Sequence, residues 1–244
     1  MKFSYLPRMY ANIPIIESCV LTLPEDNIHY LNTVLRLKIG DSVRIFNHKD
    51  GEFIAQIINI TKSNLSVQIN NILRTPTQDP EVILGLSIIK NDKMRDAINM
   101  AVQLGVTQIV PLIVQHVQSH HINRQKLLKC IIEYTQQSER LVPPTLQEIT
   151  SLTLLLEKNS TNFVLYANEN EDENNTILRF AKTFPTNILV IVGPEGGFTS
   201  EELKLFKSTA NCHGISLGST VLRSETAVAA CLAQIKLLQS SRHV

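Results

Sequence analysis

The chain of 244 residues has no tryptophan and few other aromatics, 5% in all. A protein that holds its ligands by many stacked rings is therefore excluded, and any stacking must rest on single residues. Only four cysteines occur, Cys19, Cys130, Cys212 and Cys231, far apart and without a C-x-x-C pair. That spacing fits ordinary buried thiols better than a zinc site or a disulfide framework. No apolar run approaches the roughly 20 residues that span a bilayer. The opening "MKFSYLPRMYANIPI" lacks the apolar centre of a signal peptide, so the expected compartment is the cytoplasm and no membrane partner is expected. Net charge is only +1, so a nucleic-acid partner would need a local basic patch. Arg8, Arg36, Lys38, Arg44 and Lys49 are the candidates.

With 43% hydrophobic and 18% charged residues, the chain has the composition of a folded globular protein with a sizeable core. Its first part reads as β-rich. "DSVRIF", "EFIAQIINI" and "LSVQIN" alternate apolar and polar side chains, and Asp50-Gly51 marks a hairpin. "PEDNIHYLNTVLRL" before them carries a helical apolar stripe. Together they predict a small barrel with one helix. "LRTPTQDPE" (73–81) reads as an exposed linker, which sets domains at 1–73 and 74–244.

Beyond the linker the rhythm changes. Strands are predicted at "EVILGLSII", "VTQIVPLIV", "NFVLYA", "NILVIVG" and "GISL". Helices are predicted at "NDKMRDAINMAVQL", "RQKLLKCIIEYTQQSER", "ILRFAKTF", "SEELKLFKSTA" and "SETAVAACLAQIKLLQ". This alternation implies a mostly parallel sheet covered on both faces, an α/β fold.

Ligands of such sheets bind at the carboxyl ends of the strands, and two loops there have unusual composition. Gly193-Pro194-Glu195-Gly196-Gly197 follows "NILVIV" directly. Glycines let backbone approach a ligand closely and adopt positive φ, and Thr199 with Glu202 forms a capping box for the next helix. A tight turn with no ligand would look similar. The loop is not a phosphate loop: it matches neither G-x-G-x-x-G nor G-x-x-x-x-G-K-[ST], and Glu195 would repel phosphate. A ligand here should carry a positive or hydrogen-bond-donating part. The second loop, "LGSTVLRSETA" (217–227), crowds Arg223, Ser224, Glu225 and Thr226 into a helix start. Arg223 either pairs with Glu225 or faces a site. His116 and His120 stand four apart, but no glutamate or cysteine accompanies them, and no metal is expected.

"GPEGGFTSEEL" followed by "LGSTVLRSETA" closely resembles the C-terminal signature of the 16S rRNA uridine-N3 methyltransferases of the SPOUT class. The resemblance extends to "HYLNTVLRLKIGDSVRIFN", to "KMRDAINMAVQLGVTQIVPL" and to "EYTQQSERLVPP", with Gln137, Ser138 and Arg140. It implies a PUA-like RNA-binding β-barrel at 1–73 and a SPOUT methyltransferase domain with a trefoil knot at 74–244. It also implies a homodimer, with 16S rRNA or the assembled small ribosomal subunit as substrate. S-adenosylmethionine (SAM) would lie against Gly193, Glu195, Gly196 and Gly197, and against Leu217, Gly218, Val221 and Leu222. A third contact loop would lie near Tyr166 to Asn168, where the family commonly has a glutamate and this chain has Ala167 and Asn168. Uridine N3 must lose its proton and attack a methyl carbon. Arg223 is expected to stabilise the uracil anion or a neighbouring phosphate, and Glu225 to orient Arg223 or to accept the proton. The target base must be unpaired or flipped, with Tyr5, Tyr10 or Phe46 as candidate stacking partners. The rival reading is a non-catalytic RNA-binding relative with the same fold.

Overall fold

A computed structural model describes the chain except residues 1, 2, 4, 24–36, 62–63, 118–120 and 242–244. The expected helix "PEDNIHYLNTVLRL", Arg36 and His120 lie outside the described residues. The chain divides into two compact units. The first comprises residues 1–78 and also 135–143; the second comprises 79–134 and 144–244.

In the first unit, β1 (Arg8–Tyr10), β2 (Val20–Leu23), β3 (Ser42–Asn47), β4 (Gly51–Ile60) and β5 (Leu65–Arg74) form one sheet in the order β1-β3-β4-β5-β2. The hairpin at Asp50-Gly51 has a local cause. Asn47 Oδ1 accepts from the backbone N–H of Lys49 and of Asp50 at 2.9 and 2.6 Å, and Gly51 takes φ +104°. A side chain at 51 would also collide with the carbonyl of Arg74. The inward residues, among them Val43, Ile45, Ala55, Ile57, Val67 and Ile69, make a single core.

Beside that core lies a charged centre that composition did not reveal. The Glu52 carboxylate, 1% exposed, takes Arg8 Nε at 2.5 Å and Arg74 Nε at 2.6 Å, with Arg44 Nη1 at 3.5 Å. Glu139 receives Arg44 bidentately at 2.6 and 2.7 Å. Arg8 also donates to the carbonyls of Thr135, Gln136 and Arg140, and its guanidinium lies 3.5 Å from the centroid of the Phe46 ring. These contacts bind residues 135–143 to the sheet, so a segment from the middle of the sequence completes the amino-terminal unit. Glu139 holds φ +62° there, a conformation uncommon outside glycine, asparagine and aspartate. Its bidentate grip on Arg44 offsets that strain. Burial lowers the affinity of Arg8 for its proton, whereas the Glu139 hydrogen bonds raise that of Arg44.

The network corrects the basic-patch expectation: Arg8 and Arg44 are 7% and 2% exposed and face carboxylates. Lys38 and Lys49 remain on the surface. Phe46 is core, Tyr10 is half-buried with its hydroxyl 3.0 Å from His48 Nδ1, and Tyr5 is the exposed ring.

The second unit is a parallel sheet. β6 (Val82–Ser87), β7 (Gln108–Ile113), β10 (Phe163–Ala167), β11 (Ile188–Val192) and β12 (Cys212–Ile215) run in the order β12-β10-β11-β6-β7. Two short strands, β8 (Thr145–Leu146) and β9 (Thr150–Ser151), pair in succession along the edge of β7 away from β6. Central strand β11, "ILVIV", is buried along its whole length, as a strand covered on both faces must be. Its alternate residues serve different cores. Ile188, Val190 and Val192 join α1 (Asn91–Gln103), α2 (Arg124–Gln137) and α5 (Ser224–Ser240); Leu189 and Ile191 join α3 (Leu152–Lys158) and α4 (Ser200–Ser208).

Three expectations need correction here. "ILRFAKTF" gives only one 3-10 turn, Ile177–Phe180. Phe180 leans edge-on against Phe163 at 4.9 Å, and the chain leaves toward Pro185. The strand read at "GISL" lies two residues earlier, because the Ser216 N–H bonds Asn175 O at 2.9 Å instead of continuing the ladder. Of the thiols, Cys130 and Cys231 are buried, but Cys19 is exposed. Unread in the sequence were β1, β2 and α3, whose start is capped by Ser151 Oγ accepting from Leu154 N–H at 3.3 Å. No described helix is long and apolar enough to cross a membrane.

Candidate active site

Strands β10, β11 and β12 end side by side, and the loops that leave them enclose a cleft with a cavity of about 160 Å³. A larger cavity of about 570 Å³ is lined by Glu81, Gln108, Gln147 and Asn162. Glu81, Gln108 and Asn162 stand at the amino ends of β6, β7 and β10, whereas ligands of parallel sheets bind at the carboxyl ends, so the smaller cleft is the candidate site.

Each loop has a physical reason for its shape. After β11, Gly193 brings its backbone under the Phe198 ring; a Cβ there would sit 3.1 Å from the ring carbons. Gly196 leaves room for His116, 3.2 Å from the position of its missing Cβ, and Gly197 has φ +66°. The turn is braced at both ends. Ser224 Oγ, at the start of α5, donates to Gly193 O at 2.9 Å. His116 Nδ1 lies 2.8 Å from Gly196 O and 3.2 Å from Gly197 O. The capping box then sets α4: Thr199 Oγ1 accepts from the Glu202 N–H, and the Glu202 carboxylate accepts from the Thr199 N–H at 2.8 Å and the Gln115 N–H at 2.8 Å. After β12, Gly218 takes φ +112° with open space where a side chain would go.

The structure brings together six of the eight expected cofactor residues. Gly193, Gly196, Gly197, Leu217, Gly218 and Leu222 line the cleft. Glu195 and Val221 do not: Glu195 is exposed and Val221 is 75% exposed. Ala167 and Asn168 from the third loop do line it, whereas Tyr166 is buried beneath, stacked on Phe206 at 4.2 Å. Burial there pushes its hydroxyl pKa up.

Arg223 is exposed at the first position of the α5 cap, makes no side-chain cap bond and has no ion pair among the described residues. Glu225 takes a partner other than Arg223. Its carboxylate, 7% exposed, meets Lys93 Nζ of α1 at 3.1 Å, and that hydrogen bond holds the Lys93 ammonium above its ordinary range. Missed by the sequence reading were Glu169 and Asn170, which also line the cleft, and the brace from His116. Their signal was weak: Glu169 sits in an acidic, asparagine-rich loop that reads as plain surface. Among the described residues no three His, Cys, Asp or Glu side chains are placed to hold a metal.

Glycines at close-approach points, a braced turn and a nearly uncharged lining make a cradle for an extended organic ligand. They fit SAM: four glycines and apolar side chains line the cavity, and among the described residues no lysine or arginine lines it to repel a sulfonium.

Comparison with known proteins agrees with this geometry. Residues 76–236 match the RNA methyltransferase domain family and residues 23–70 the RNA methyltransferase PUA domain family. The ribosomal RNA small subunit methyltransferase E of Rickettsia conorii is 48% identical over 242 residues, covering 98% of both chains. The enzyme of that name from Neisseria gonorrhoeae, solved with SAM, superposes with a TM-score of 0.87 at 27% identity, covering 96% of this chain and 98% of that one. A methyltransferase of Legionella pneumophila, also solved with SAM, gives 0.86 at 27% identity over 97% and 98% of the two chains. With matches that span both units and nearly the full length, the chain belongs to the RNA methyltransferase family that includes the small-subunit rRNA methyltransferases E.

Proposed function

We propose that this chain transfers the methyl group of SAM to N3 of a uridine in 16S rRNA of the small ribosomal subunit. The observation that carries the proposal is the cleft itself: glycines from two loops, one of them braced at both ends, in a nearly uncharged lining, in a chain that also has a PUA domain. The bound SAM would supply an electrophilic methyl carbon. Backbone at Gly193, Gly196, Gly197 and Gly218 would hold it, with Leu217 and Leu222 as apolar walls. Such positioning contributes on the order of 7–11 kcal/mol in favourable cases.

Arg223 stands between Leu222 and Ser224, both of which line the cleft, and it is exposed with no ion pair among the described residues. Its role is to stabilise the uracil anion as the imide proton leaves, or to hold an adjacent phosphate. Glu225 serves this arrangement indirectly: its bond to Lys93 fixes the first turn of α5, from which Arg223 and Ser224 project. The PUA unit, residues 1–73 in the sequence division, is assigned to RNA, with Tyr5, Lys38 and Lys49 as its exposed candidates. The trefoil knot, the homodimer and the cytoplasmic setting belong to the same reading through the family resemblance.

The test is methyl transfer from labelled SAM to unmodified small subunits or to free 16S rRNA, with nucleosides identified by mass spectrometry. The expected product is N3-methyluridine. Arg223→Ala should abolish transfer and leave SAM affinity nearly unchanged; full activity in that variant would remove Arg223 from the mechanism.

A further inference from the structure

The sequence placed a carboxylate in the glycine loop, at Glu195, yet the cleft takes its acid from elsewhere. Glu169, two residues past the end of β10, is the only charged residue among the described residues that line the cleft. Its Oε1 reaches across to the other loop and comes 3.4 Å from where a Cβ of Gly197 would stand. No hydrogen bond or ion pair engages this carboxylate among the described residues. Two of its acidic neighbours are occupied: Glu171 accepts from the side chains of Asn168 and Asn175, and Asp172 from Asn174. Glu173 and Glu195 are also without a partner among the described residues, but neither lines the cleft; Glu169 is thus the uncommitted anion that the described lining presents beside the GPEGG turn.

We infer that Glu169 faces the sulfonium of the cofactor and lets the cleft distinguish the methyl-bearing cofactor from its spent form. This rests on the proposed use of SAM. When the methyl carbon leaves, the C–S bonding pair stays on sulfur, the new bond forms to uracil N3, and the N3 proton leaves for solvent. The sulfur is then neutral. An anion placed beside it favours the substrate and loses its partner in the product, which eases product release. The ammonium, carboxylate and ribose are the same in both forms, so a residue that held those groups would not discriminate.

Calorimetric titration with SAM and with S-adenosylhomocysteine, on the full chain and on Glu169→Gln, separates the cases. The substitution is on an exposed residue and keeps its shape. The expected result is a loss of SAM affinity of about two- to fivefold, the scale of an exposed ion pair, with S-adenosylhomocysteine affinity unchanged. The SAM effect should shrink as salt rises. Equal losses for both ligands would place the carboxylate on a shared group and overturn the inference while leaving the proposed reaction standing. No loss for either would make Glu169 a bystander and overturn it as well. If the native chain bound neither ligand, the proposed function itself would fall, and this inference with it.

Discussion

Replacing Glu52 with glutamine isolates the cost of a buried charge. Glu52 is the hub for three guanidiniums. Arg44 would keep its two bonds to Glu139, and Arg74 would keep its bond to the Glu139 carbonyl. Arg8 is different. Its side chain is 4% exposed and Glu52 is its only ion-pair partner among the described residues. What remains for it is three carbonyls and the face of Phe46. Glutamine can accept one hydrogen bond but carries no charge, so a cation is left buried and uncompensated. Breaking a buried pair in this way costs about 3–5 kcal/mol, a large fraction of the roughly 5–15 kcal/mol that holds a domain folded. In a unit of this size, each kcal/mol lowers the melting temperature by about 4–8 °C. Calorimetry of Glu52→Gln should therefore show one transition lowered by at least about 10 °C. SAM affinity measured below that transition should persist, because every residue of the cleft belongs to the other unit. The double variant Arg8→Met, Glu52→Gln removes the stranded cation and should recover part of the loss. A single variant within about 1 kcal/mol of the native protein, or a double variant worse than the single, would refute the reasoning.

Acid should loosen the same network. Hydrogen bonds from Arg44 hold the Glu139 carboxyl below its ordinary 4.5. Its stabilising contribution is therefore complete above pH 4.5 and is lost as pH falls through the lower folded value; urea midpoints should drop over that range, and less steeply in Glu139→Gln. Gly197→Ala must hold φ +66° and should cost about 1–2 kcal/mol, whereas Gly218→Ala at φ +112° should cost more; SAM titration of both variants checks the order. Under native conditions a thiol reagent should modify exposed Cys19 first and leave Cys231 untouched, since burial pushes that thiol up to about 12. Peptide mapping after partial labelling would show the opposite if the α5 core were open.

How much of this was legible in the sequence depended on whether a feature repeats. The strands and helices of the second unit were readable because burial repeats along an element, as in "ILVIV" or in the Val228, Cys231, Leu232, Ile235 stripe of α5. The two glycine loops were readable because positive φ and close approach demand a rare residue. Side-chain partners were not readable. Arg8 and Arg44 look like an RNA patch until Glu52 and Glu139 are placed against them, one from the facing strand and the other some 95 positions away from Arg44 in the chain. Glu225 looks like a mate for Arg223 until α1 brings Lys93 to it.

The same limit explains the misplaced acid of the cleft. A motif assigns a charge to the loop that contains it, and so Glu195 appeared to be the carboxylate beside the cofactor. A cleft assembled from three strand ends has no such constraint: any of its loops can supply the charge, provided the side chain reaches the common space. Here the β11 loop is committed to backbone approach, with its carbonyls tied to Ser224 and His116. The neighbouring β10 loop is anchored to the end of β12 through Asn168 and Asn175, and between those anchors it carries the carboxylate of Glu169 into the lining. Placing the charge on the neighbouring loop lets the glycine turn stay short and braced. It also leaves charge recognition adjustable by single substitutions that do not disturb the cradle, which is why Glu169→Gln, rather than a change at Glu195, isolates the electrostatic share of cofactor binding.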